Sequence, residues 1–323
     1  MSVHRSAEPA AGRVGESLLI DPAARAARTR AWLQLHFCVV LWGFTAIFGR
    51  LISLPALPLV WWRMTLVGIA LLAVPKFWRG VRGLSARQLA IYAGIGVLVA
   101  LHWLTFYGSI KLSNASIGAT CMALMSVMMA FVEPLIVRRK FDPRELLFGL
   151  AVIPGVLLVI GGTPTVMRLG IAVGVLSALI LAVFGALNKR YIGKADAMTV
   201  TGIEMGAGAL FLTIVGPLLP SGEALFAMPS QRDGLLLLAL SMGCTLLPFT
   251  LGLVAMRHLS AFSTALALNL EPVYAIVLAI LLLGEQRELA WPFYAGVAII
   301  LGVVLLHARA SPGNPPAETA QAP

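Results

Sequence analysis

The amino-acid sequence predicts an all-α integral membrane protein of ten transmembrane helices, folded as two five-helix repeats of inverted topology. Three observations carry that prediction. Apolar residues make up 59% of the 323 positions and charged residues only 12%, against about 25% charged in soluble domains. The apolar residues fall in continuous runs near the roughly 20 residues that a helix needs to cross hydrocarbon. The chain also matches itself at a shift of 147 residues.

The runs cover roughly 32–52, 58–76, 88–110, 114–137, 144–162, 169–189, 197–219, 233–256, 262–284 and 290–308. Before them, residues 1–30 form a polar, Ala- and Arg-rich tail without the apolar core of a signal peptide. After them, residues 309–323 are Pro-rich and expected to be disordered. A transmembrane β-barrel is excluded, because its strands alternate apolar and polar residues and these runs do not. Cys38, Cys121 and Cys244 fall in three separate spans, which argues against a disulfide framework.

The net charge of +10 does not require a nucleic acid, because Lys and Arg gather in short loops as the positive-inside rule asks. With the N-terminus inside, eighteen fall on the inner side: Arg5, Arg13, Arg25, Arg28, Arg30, Lys76, Arg79, Arg82, Arg87, Arg138, Arg139, Lys140, Arg144, Lys189, Arg190, Lys194, Arg257 and Arg309. Five fall outside: Arg50, Lys111, Arg168, Arg232 and Arg287. The expected protein is therefore multi-pass, in a cell membrane such as a bacterial inner membrane, with both termini cytoplasmic.

At the 147-residue shift, LSNAS (112–116) falls on LSAFS (259–263), and GLAVIPGVLL (149–158) on GVAIILGVVL (296–305). In the second pair Gly149, Ala151, Ile153, Gly155, Val156 and Leu158 meet identical residues without a gap. This divides the chain into repeats at 31–163 and 164–308. Five spans is an odd number, so the second repeat enters the membrane the other way up. Inverted repeats are a signature of secondary transporters, which exchange inward- and outward-open shapes around a site between the halves.

The ten-span plan, WG in the first span (Trp42-Gly43), Arg63 in the second, and Glu271-Pro272 followed by LGE in the ninth together resemble the EamA family of the drug/metabolite transporter superfamily. The resemblance runs over about 32–308. It implies a bundle in which helices 1–4 and 6–9 surround a central cavity, with helices 5 and 10 at the periphery. It also implies transport, mostly export, of small metabolites such as amino acids, amines and nucleobases. The first half departs from the pattern: Leu124-Met125 stand where the second half has Glu271-Pro272, and its own Glu133-Pro134 comes nine residues later.

Charged and polar residues inside spans are costly, and usually face a bundle interior or a water-filled cavity. Glu271 is the deepest, nine residues or about 13 Å along the helix from Phe262. It reads either as a proton or cationic-substrate site, or as a brace for the kink at Pro272. Asn269 and Tyr274 add hydrogen-bonding groups beside it. Arg63 reads as a brace at the bundle wall or as a ligand for a substrate carboxylate. Glu204 holds the matching place in the second repeat, at the opposite depth. His102, Phe106 and Ser109 share one helix face, and Trp103 and Tyr107 another, which suits a flat or cationic ligand. Glu133 reads as a salt-bridging residue at the end of its span. Met122, Met125, Met128 and Met129 crowd span 4, as packing or as an adaptable cavity wall. Trp42, His102, Tyr107, Glu204, Asn269, Glu271 and Tyr274 are the cavity candidates; Arg63, Glu133 and Pro272 are candidates for structure or gating.

No HExxH, GxxxxGK[ST] or CxxC motif is present, and neither a cofactor nor a metal is expected. The expected activity is secondary-active transport, not enzymology. The expected partners are a small-molecule substrate, the lipid bilayer and protons, with monomer and homodimer both open. The competing classes are an intramembrane lipid-modifying enzyme, which would cluster Asp, His or Cys near one face, and an accessory membrane subunit, which would need no midplane carboxylate.

Overall fold

The computed structural model describes residues 22–138, 140–141, 143–191, 196–248, 251, 255 and 267–310. No strand occurs among them. The helices are α1 (Pro22–Leu51), α2 (Ala56–Leu72), α3 (Pro75–Arg82), α4 (Ala86–Leu112), α5 (Ala115–Ala123), α6 (Met125–Val137), α7 (Pro143–Gly161), α8 (Arg168–Tyr191), α9 (Ala197–Val215), α10 (Gln231–Leu238), α11 (Glu271–Leu278) and α12 (Trp291–Ala310). α10 and α11 each continue as a π-helical stretch, Ala239–Leu246 and Ala279–Leu283.

Five stretches are long and apolar enough to cross a bilayer alone: Thr29–Leu51, Ala86–Leu112, Ala115–Val137, Thr165–Asn188 and Ala197–Leu218. The second expected span ends early. α2 stops at Leu72 and α3 leaves it at 86°. Val74 before the proline is extended, and Pro75 sits in the first turn of α3, as the sterics of an X-Pro step demand. Shorter apolar helices, Leu147–Gly161, Glu271–Leu283 and Trp291–Leu306, occupy the fifth, ninth and tenth expected spans. The repeat segment 259–263, Arg139 and Arg257 lie outside the described residues.

Contacts between connections sort the helix ends into two sets. At one end Ser53 meets Asp233, Lys111 donates to the Ile52 carbonyl, and Asn114 donates to Glu288 at 3.0 Å. At the other, Lys76 pairs with Asp196 at 2.9 Å, Tyr92 donates to the Tyr191 carbonyl at 3.0 Å, and Arg190 donates to the Ile136 carbonyl. We name these the clasped end and the Lys76 end. α4 packs on α8 and α9, α2 on α9, and α1 on α11, while α7 and α12 pack on each other beside that core.

The tightest crossing is between α4 and α9. A Cβ at Gly96 would run into the backbone of Glu204, and a Cβ at Gly208 would meet the Gly96 carbonyl and Met64. Close backbone approach of this kind is how helices associate in lipid, where no hydrophobic effect drives them together. Here it fixes the height of Glu204 in the bundle.

Candidate functional site

Two segments that meet at the centre have a local interruption in their α-helical hydrogen bonding. The α5–α6 span breaks at Leu124, and the ninth span turns at Asn269–Leu270 before α11 starts at Glu271. Pro272 accounts for the second break. It has no N–H to donate, so it fits the first turn of a new helix and not the middle of a continuous one. At Leu124 there is no proline or glycine. The helix restarts at once, with Leu124 N–H bonding to Cys121 and Met128 N–H to Leu124, at 3.1 and 3.0 Å. Shifted by 147 residues, Leu124 falls on Glu271. The two broken spans touch where Ser126 Oγ donates to Asn269 Oδ1 at 2.8 Å.

A cavity of about 560 Å³ lies between them. Trp42, His102, Glu204, Asn269 and Glu271 all line it, as does Pro272. So do Met122 and Met125 from the Met-rich span, and Val304 is the contribution of α12. Tyr107 and Tyr274 do not line it. Tyr107 is fully buried behind Arg63 and accepts a hydrogen bond from its guanidinium at 2.7 Å. Tyr274 turns to α1, its hydroxyl 3.0 Å from His36 Nδ1. Glu133 sits on α6, away from the cavity.

Arg63 lines the cavity rather than the outer wall. It is 4% exposed. Nε and Nη2 both donate to Thr245 Oγ1, at 3.1 and 2.8 Å. Thr245 lies in the π-helical stretch and donates its own proton to the Leu240 carbonyl at 3.0 Å, so both its lone pairs are free for the guanidinium. Trp103 stacks 3.7 Å from the guanidinium carbon and Tyr107 lies 5.8 Å from it. The aromatic pair suited to a cation thus grips a cation of the same chain. A guanidinium has five N–H donors, so three bonds leave two for a ligand.

Glu271 lies in the first turn of α11. Among the described residues no group hydrogen-bonds its carboxylate. Glu204 is 6% exposed, is hydrogen-bonded by Asn188, and keeps Oε1 buried without a partner. Gly68 of α2 lies against Gly206 of α9. Arg63 is five residues from that level towards the clasped end, and Glu204 two residues towards the other. The two charges are therefore about 10 Å apart along the bundle at 1.5 Å per residue, and do not pair.

His102 is pinned. Ser177 Oγ donates to the His102 carbonyl at 2.8 Å, and His102 Nδ1 lies 3.1 Å from the Ser177 carbonyl. A carbonyl only accepts, so Nδ1 carries the proton. Phe106 and Phe184 flank the ring, at 6.2 and 5.6 Å between centroids. Ser126, Asn188 and Thr245 are cavity residues that the sequence did not single out. Thr and Ser on apolar helices gave no signal, because a span commonly turns such hydroxyls onto its own carbonyls.

The EamA-like transporter family model matches the chain twice, over residues 30–161 and 168–308. "Uncharacterized transporter YyaM" of Bacillus subtilis (strain 168) is 22% identical over 287 residues, covering 84% of this chain and 93% of the relative. "Uncharacterized transporter PA0485" of Pseudomonas aeruginosa is 27% identical over 266 residues, covering 77% and 84%. A solved crystal structure at 18% identity aligns with a TM-score of 0.57 over 87% of this chain and 98% of that one, a likeness of fold. The matched family and both relatives are transporters and not enzymes, and multi-pass membrane insertion follows from the family and the apolar helices together. With two matches spanning most of its length, this chain belongs to the EamA-like transporter family.

Proposed function

We propose that the protein is a secondary-active exporter of small organic metabolites, such as amino acids, amines or nucleobase-like compounds, working by alternating access around the central cavity. The observation that carries this reading is the pair of broken spans. Their interruptions fall within two residues of each other in the 147-residue register, and the segments touch at Ser126 and Asn269 and flank the cavity. Interrupted helices in corresponding positions of two halves are a recurrent mark of transporter sites, and here they bring the polar side chains of Ser126, Asn269 and Glu271 to one cavity. A volume of about 560 Å³ is within the range of small-molecule sites, roughly 300–1,000 Å³.

The same reading takes the chain as ten spans in two inverted repeats with cytoplasmic termini. α1 runs towards the clasped end and α8, first helix of the second family match, runs away from it, which supports the inversion. Arg63 offers two N–H groups to an acidic or carbonyl group of the substrate, and Glu271 takes and releases the coupling proton. A carboxylate that only braced the Pro272 kink would bond to backbone groups there. That Glu271 has no such partner among the described residues favours the coupling role.

The test is flux in proteoliposomes, with labelled amino acids, amines and nucleobases and an imposed pH gradient. A gradient-driven flux above protein-free vesicles is expected for at least one class. Glu271→Gln keeps the shape but cannot titrate. It is expected to lose gradient-driven transport and keep substrate exchange at equal pH. Full driven transport by this variant would refute proton coupling at Glu271.

A further inference from the structure

The short helix α3 carries three basic residues and two aromatic ones in eight positions. It turns 86° from α2. Since α2 belongs to a span, α3 lies close to the plane of the bilayer at the Lys76 end. One face is anchored. Phe77 is 4% exposed and fills the space where Gly202 of α9 has no side chain, and Gly80 sits against Thr199. The opposite face is unpartnered. Trp78 is half exposed, and Arg79 and Arg82 are exposed.

Three details say what covers that face. The Trp78 indole N–H donates to the Leu72 carbonyl at 2.9 Å, so its exposed ring can meet lipid without an orphaned donor. Lys76 is already matched by Asp196, whereas Arg79 and Arg82 have no ion pair with a described residue. They are three positions apart, hence neighbours on one side of the helix. The corresponding connection at the clasped end, residues 216–230, contains no Lys or Arg and exposes Leu218 and Met228 instead. The basic and aromatic combination of α3 is therefore absent from the connection that corresponds to it in the second repeat.

We propose that α3 is a headgroup-binding helix: Arg79 and Arg82 clamp phosphodiester groups of anionic phospholipids in the leaflet at the Lys76 end, while Trp78 rests at the acyl boundary. The planar guanidinium matches a phosphate in two parallel hydrogen bonds, and an interfacial helix with a basic face gains from both anionic lipid and buried apolar area. Docking α3 this way holds α9 through Phe77 and Gly202, and so ties the lipid to the helix that carries Glu204.

Native mass spectrometry of the full-length protein in detergent, titrated with dioleoyl phosphatidylglycerol or dioleoyl phosphatidylcholine, tests this. The wild type is expected to retain phosphatidylglycerol preferentially. The double variant Arg79→Gln/Arg82→Gln is expected to lose that preference by on the order of tenfold. Arg232→Gln, an exposed arginine at the clasped end, is expected to keep it. Arg79→Lys/Arg82→Lys, which keeps the charge, guards against misfolding and is expected to retain part of the preference. An unchanged preference in the Gln double variant overturns the proposal. So does equal displacement of the lipid by inorganic phosphate, which would make the face a soluble-anion site.

Discussion

The two ends of the bundle are closed by different chemistry. At the clasped end the closing groups are buried carboxylates. Glu285, 1% exposed, accepts from the backbone N–H groups of Ala115 and Ser116 at 2.9 and 2.8 Å. These are the first residues of α5, where N–H groups have no partner inside the helix and the dipole favours an anion. Asn114 caps the same turn, its Oδ1 accepting from Ile117 N–H at 3.0 Å. Asp233, 2% exposed, accepts from both the backbone and the hydroxyl of Ser53. At the Lys76 end the ion pair is solvent-facing, Lys76–Asp196 with side chains 56% and 36% exposed, and the buried link is a neutral one, the Tyr92 hydroxyl on the Tyr191 carbonyl. Both sets join the two halves of the chain, but among the described residues only the clasped end uses carboxylates taken out of water. The difference teaches that the clasped end is held and the other end is merely touched.

Breaking that contrast calls for variants on both sides. Glu285→Ala carries the largest expected effect. It leaves two buried N–H groups unpaired at a cost of about 3 kcal/mol, read as a lower thermal midpoint in detergent. Glu285→Gln keeps an acceptor and is expected to cost less. Asp233→Ala follows at about 2 kcal/mol, by the same measurement. If either were silent, the clasped end would not be the stronger one. Lys76→Ala comes next, expected below about 1 kcal/mol because the pair is exposed and screened by salt.

The smallest effect concerns pH. Burial pushes the Asp196 carboxyl up, but hydrogen bonds from Lys76 and Thr199 outweigh this and hold it below its ordinary value. A carboxyl lowered in the folded state stabilises above its unfolded pKa, and that stabilisation fades as pH falls through the folded one. The stability difference between wild type and Asp196→Asn is therefore expected to be constant near neutrality and to shrink in acid. A difference that grows on acidification would reverse the sign.

The sequence made the cost of placing charge in lipid legible, and that was enough to bring Trp42, His102, Glu204, Asn269 and Glu271 into one list. It did not make helix rotation legible. One residue turns a helix by about 100°, and the break at Asn269–Leu270 resets the angle before Tyr274 is reached, so Tyr274 faces His36 instead of the cavity. Trp103 and Tyr107 stood out as an aromatic pair at helical spacing, but their partner, Arg63 of α2, is remote in sequence. The break at Leu124 left no trace in composition, because no proline or glycine marks it. Only the register against Glu271 pointed there. α3 was hidden for the opposite reason: Pro75 and Lys76 were taken into the preceding apolar run and Arg79 and Arg82 counted with the basic loops.

The crossing at Gly96 has a mechanical consequence. α4 and α9 come from different halves, and at that point their backbones touch with no side chain between them to act as a cushion. Sliding would drive main chain into main chain, so the crossing behaves as a pin, and the halves can scissor about it but not shear past it. In the proposed alternating-access cycle the clasped end and the Lys76 end would be the opposite blades of that pin. A bulkier residue at Gly96 would press on the backbone of Glu204 and so move a group of the cavity as it loosened the rivet.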